Sequence, residues 1–94
     1  MTSARILVID DEPEIRKFLE ISLRSQGYAV TLAPTARAGL AEFSALHPDL
    51  VVLDLGLPDL DGAEVLERLR AVSEVPVIVL TVRSGETQKV APVS

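Results

Sequence analysis

At 94 residues the chain is sized for one domain, near the lower range in which a single core holds a fold without covalent help. Hydrophobic residues make up 48% of it and aromatics only 3%, so the core has to be built from Leu, Val, Ile and Ala. A net charge of -5 leaves no basic footprint for nucleic-acid phosphates, and the absence of cysteine removes disulfides and thiolate metal sites.

In chain order, Met1 to Arg5 lead directly into Ile6-Leu7-Val8-Ile9. That run is too short for a signal-peptide core or a membrane span, so a cytoplasmic location is expected. It reads as a first strand, closed by Asp10 and Asp11. Pro13 suits a first helical turn, and Ile15, Phe18, Leu19 and Leu23 fall on one helix face, which places Phe18 in the expected core. Gly27 ends this helix. Tyr28 to Ala33 is a second strand, and Thr35 caps a second helix that turns Ala36, Leu40 and Phe43 inward. His47-Pro48 breaks it, and the lone histidine reads as a solvated loop residue.

Leu50-Val51-Val52-Leu53 is a buried strand closed by Asp54. The next stretch, with Gly56, Pro58 and Gly62 among acids, has loop composition. Ala63 to Ala71 resumes helical spacing through Val65, Leu66 and Leu69, leaving Arg68 and Arg70 solvated along with the later Arg83. Pro76 to Leu80 is a fourth strand ending at Thr81, and Gly85 to Val90 is a candidate further helix.

Short β-branched runs alternating with helical stretches signal βαβ units, hence an α/β fold with a parallel sheet and helices on both faces. In such sheets chemistry gathers beyond the carboxyl ends of the strands. Those ends carry Asp10 and Asp11, Asp54, and Thr81.

If the first and third strands are neighbours, their backbones lie about 4.8 Å apart and three carboxylates crowd one small volume. Two such charges about 5 Å apart repel by roughly 3 kcal/mol at an effective dielectric near 20. A bound cation relieves that repulsion, and hard carboxylate oxygens with water and carbonyl groups suit Mg²⁺. Taken singly, each acid has an ordinary structural role, since Asp often closes a turn and Asp10 or Asp11 can cap the following helix. Their joint placement at strand-loop-helix junctions favours the cation site.

The stretches ILVIDDEPEIRKFL, PDLVVLDLGLPDLDG and VPVIVLTVRSGE resemble response-regulator receiver domains, particularly the KdpE-like members of the OmpR class. They occur in that family's order and cover the chain from about Arg5 to Lys89. The resemblance implies a flavodoxin-like, CheY-like doubly wound sheet of strand order 2-1-3-4. It also implies that Asp54 accepts a phosphoryl group from a sensor histidine kinase, so the domain is a phosphoacceptor rather than an enzyme in its own right. Asp11 would bind Mg²⁺ directly, Asp10 through a water, and Gly56 through its backbone carbonyl. Thr81 would be the hydroxyl that senses the phosphoryl group, with Pro58 and Gly62 shaping the loop.

The chain departs from the family after the fourth strand: the fifth strand, last helix, lysine and switch aromatic have no counterpart, and Lys89 lies in the wrong context to replace that lysine. The expectation is one receiver domain over residues 1–94, cut short and with no effector domain. An apolar edge from Val75 to Val82 then invites a homodimer or larger assembly. A competing reading is a receiver-fold interaction module that binds a kinase or another receiver without being phosphorylated. A further one, the DxDG phosphatase signature at Asp59-Leu60-Asp61-Gly62, is set aside because that motif should directly follow a strand, and here the strand has already ended at Asp54.

Overall fold

The computed structural model of the chain describes residues 3–80. Thr81, Arg83, Lys89 and the candidate helix from Gly85 to Val90 lie outside the described residues. Seven elements alternate along the chain: β1 (Arg5–Ile9), α1 (Pro13–Ser25), β2 (Ala29–Ala33), α2 (Ala36–Leu46), β3 (Leu50–Asp54), α3 (Gly62–Val72) and β4 (Val77–Leu80). All pairings are parallel, in the order β2-β1-β3-β4. No helix among the described residues is long and apolar enough to cross a membrane.

Strand alternation divides the core in two. Leu7, Ile9, Val51 and Leu53 pack with Phe43 of α2 and Val65 and Leu69 of α3. Ile6, Val8, Val30 and Val52 face the other way, against Leu19 and Leu23 of α1. Each Leu or Val buried in this way contributes roughly 1.5–3 kcal/mol. The expected helices on both faces are thus present, and among the described residues α2 and α3 lie on one side and α1 on the other.

The thicker side is tightly fitted. A Cβ on Gly39 would lie 2.5 Å from Ile9 Cδ1, so α2 sits close enough to β1 that a larger residue there would force the Ile9 side chain to shift. Thr35 caps α2 as its sequence predicts, its hydroxyl accepting the Ala38 N–H. His47 ends that helix in the left-handed region, at φ 52°.

The thinner side corrects one expectation. Phe18 is 64% exposed rather than part of the core, and α1 has no fully buried residue. The helix lies over β1 and β2, so among the described residues its flank toward β4 is uncovered, and Phe18 is on that flank with Ile15 and Leu80. Arginines fasten α1 at both ends instead. Arg16 donates to the Asp10 carbonyl at 2.8 Å and Arg24 donates to the Val30 carbonyl at 2.9 Å.

Candidate metal and phosphoacceptor site

The sheet register brings the acids together. Ile9 of β1 lies opposite Leu53 of β3, so one further step along each strand sets Asp10 beside Asp54. Both residues are 3% exposed, and their parity along the strands directs them to the α1 side of the sheet. With Asp11 they offer carboxylate oxygens that all lie within 4.8 Å of one another.

Backbone amides hold the carboxylates of Asp10 and Asp54. Asp10 Oδ1 accepts the Glu12 N–H at 2.8 Å, and Asp54 Oδ1 accepts the Gly56 N–H at 3.0 Å. These local turns are the ordinary role that the sequence allows for a strand-end Asp, so the turn role and the shared site coexist. Neither Asp10 nor Asp11 caps α1; Glu12 is its N-cap residue and makes no side-chain cap bond. The Asp10 backbone is held as well, since its N–H donates to the Ala33 carbonyl at 3.0 Å and its carbonyl accepts from Arg16.

Burial raises the Asp10 carboxyl above its ordinary value, against the lowering effect of the Glu12 N–H, and the charges of Asp54, Asp11 and Glu12 push it further up. Three hard oxygen donors in a volume whose charges resist coexistence fit a small divalent cation. A cavity of about 210 Å³ opens onto Asp10 and Asp54, walled by Ile15, Phe18, Leu19 and Leu80.

Of the residues singled out by sequence, Asp10, Asp11 and Asp54 meet, and Gly56 follows Asp54 in the adjoining loop. Thr81 lies outside the described residues. Pro58 lies in the turn that carries the chain from β3 toward α3, and Gly62 is the first residue of α3. A Cβ on Gly62 would lie 2.5 Å from Leu55 Cα, which accounts for glycine at that position. Asp59, the first residue of the set-aside phosphatase signature, points to α2 and accepts the Ala36 and Arg37 N–H groups at 2.9 Å each.

The response regulator receiver domain profile matches residues 6–93. The chain belongs to the response-regulator receiver domain family. Among curated relatives, this receiver domain is 49% identical over 86 residues to the KDP operon transcriptional regulatory protein KdpE of Escherichia coli, which spans 92% of this chain and 38% of that protein. It is 47% identical over 85 residues to KdpE of Mycobacterium tuberculosis, with 90% and 38% covered. The receiver domain therefore spans well under half the length of these relatives.

Solved structures agree on the fold. Chemotaxis response regulator CheY4 of Vibrio cholerae superposes with a TM-score of 0.83 at 28% identity, covering 94% of this chain and 75% of that one. Response regulator TrrA of Thermotoga maritima, solved in complex with Mg(2+)-BeF, gives 0.80 at 35% identity, covering 93% and 76%. The expected CheY-like sheet order is the one observed.

Proposed function

We propose that this receiver domain accepts a phosphoryl group on Asp54 from the phosphohistidine of a sensor histidine kinase, with Mg²⁺ held by Asp11 and Asp54 directly, by Asp10 through water and by the Gly56 carbonyl. The observation that carries the reading is the convergence of Asp10, Asp11 and Asp54 within 4.8 Å beside a cavity. The binding of Mg(2+)-BeF by TrrA supports it by likeness.

In the transfer, an Asp54 oxygen forms a bond to phosphorus as the phosphorus–nitrogen bond breaks, and that electron pair returns to the imidazole ring. The Gly56 N–H holds Asp54 Oδ1 at 3.0 Å, which helps to orient the carboxylate at the end of β3. Asp10 and Asp11 keep the neighbouring wall of the site negative, which favours a cation there and disfavours a bare phosphate dianion. When bound, Mg²⁺ would supply neutralisation of the charge on the incoming phosphoryl group. Thr81 is proposed as the hydroxyl that meets the phosphoryl group.

Incubation with a small phosphodonor and Mg²⁺, followed by intact-mass measurement, tests the reading. One added phosphoryl group that requires both Mg²⁺ and Asp54 is expected; no addition to the wild-type chain turns the choice to a non-phosphorylated interaction module. The complete acid trio favours the phosphoacceptor over that module.

A cytoplasmic location and self-association through β4 complete the proposal. Exposed Ile78 and Val79 on this edge of the described sheet, at 51% and 36%, support the second.

A further inference from the structure

Asp10 and Asp11 are joined by one rigid peptide plane, because partial double-bond character fixes the Asp10 carbonyl and the Asp11 N–H in a single orientation. With the Asp10 N–H already held by the Ala33 carbonyl, a partner on the Asp10 carbonyl fixes ψ at Asp10 and so the point from which the Asp11 backbone leaves the strand end. The carbonyl lies just past the end of β1, and its partner comes from another element: Arg16, in the first turns of α1, donates from Nη1 at 2.8 Å. Arg16 is itself half-buried, and its own N–H is engaged in the helix with the Glu12 carbonyl at 3.0 Å.

We infer that Arg16 is a positioning residue for the cation site, fixing the Asp10–Asp11 peptide plane from behind so that both carboxylates face Asp54. The inference rests on the proposed metal site and adds to it a residue outside the proposed ligand set. It also gives α1 a part in the chemistry, since the same bond docks this helix on the strand end. Supporting groups of this kind, one step behind the ligands, change metal affinity by about 10- to 100-fold when removed.

Charge and geometry make opposite predictions here. Deleting an arginine near three carboxylates makes the site more negative, which by Coulomb attraction alone tightens a divalent cation. Loss of the positioning bond loosens it.

Calorimetric titration of the full chain with Mg²⁺ is therefore decisive for Arg16→Ala, Arg16→Lys and Arg16→Gln, with Arg68→Ala as a charge-matched control on the exposed face of α3. Expected is a rise in the Mg²⁺ dissociation constant of about tenfold for Arg16→Ala, partial rescue by Lys, and no loss for Arg68→Ala. In metal-free protein the Asp11 amide resonance is expected to shift in Arg16→Ala and much less in Arg16→Lys. Unchanged or tighter Mg²⁺ binding by Arg16→Ala overturns the inference, even if that variant melts earlier. If Arg16→Ala does not fold, unchanged binding by Arg16→Gln, which lacks the reach and charge, overturns it equally. Failure of the wild-type chain to bind Mg²⁺ overturns the metal site itself, and the role of Arg16 with it.

Discussion

Asp59 caps a helix that it does not belong to: from the loop after β3, its two carboxylate oxygens accept the Ala36 and Arg37 N–H groups at the start of α2. The first amides of a helix have no partner within the helix, and a carboxylate there also meets the positive end of the helix dipole. The Ala36 N–H, then the Arg37 N–H, lower the Asp59 carboxyl below its ordinary value of 3.8.

A carboxyl lowered on folding stabilises the native state above its unfolded value, and that contribution disappears as pH falls through the lower native value. Asp59→Ala is thus expected to melt earlier than wild type near neutral pH, with the gap closing as the pH drops below 3.8. Thermal unfolding at a series of pH values checks this. A gap that stays constant into acid would assign the loss to packing instead.

Asp10 has the opposite sign. Its carboxyl is raised, first by burial, so its effect on stability is most favourable below 3.8 and is lost as pH rises through the raised native value. Without metal at neutral pH, Asp10→Asn is expected to be more stable than wild type, because it removes a charge yet keeps an acceptor for the Glu12 N–H. Mg²⁺ at ten times its dissociation constant should raise wild-type stability by about 1.4 kcal/mol and Asp10→Asn by less. Chemical denaturation with and without Mg²⁺ measures both.

Gly62→Ala is expected to cost about 1–3 kcal/mol, because the new methyl group meets Leu55 backbone, which cannot move aside as a flexible side chain does. Leu55 is also the residue after Asp54, so the substitution should slow phosphorylation beyond its effect on folding. Urea unfolding and the rate of mass gain with a phosphodonor separate the two effects.

Ile78→Lys is expected to weaken any self-association through β4 while leaving the monomer folded, since the side chain is half exposed and lies on the outer strand of the described sheet. Sedimentation equilibrium over a concentration series decides it. Concentration-independent monomer for the wild-type chain would remove the assembly from the proposal.

The elements are legible because they depend on local patterns: four apolar runs, each ended by polar residues or a turn, specify strands. That β1 and β3 are neighbours, which carries Asp10 to Asp54, is not in the local pattern; the family resemblance implies it and the register bears it out. Phe18 was misjudged for a different reason. Helical spacing identifies an apolar stripe, but the width of the stripe that is covered depends on how the helix sits on the sheet, and α1 sits over β1 and β2. Arg16 and Asp59 were missed because each acts on backbone of a different element. Their spacing offers a clue only in retrospect: Arg16 lies one turn into the helix that follows the Asp pair, within reach of the strand end.

The sites of Asp10 and Asp54 on the lightly packed side of the sheet decide what can respond to chemistry there. The opposite side is locked by Gly39 against Ile9 and by two helices, so it resists deformation. Among the described residues, a group added at Asp54 instead meets α1, held by Leu19 and Leu23 and by two guanidinium bonds, and the Leu80 end of β4. Bulk added at Asp54 would therefore press first on α1 and the end of β4, the described elements that border its cavity, rather than on the layer packed by Phe43, Val65 and Leu69.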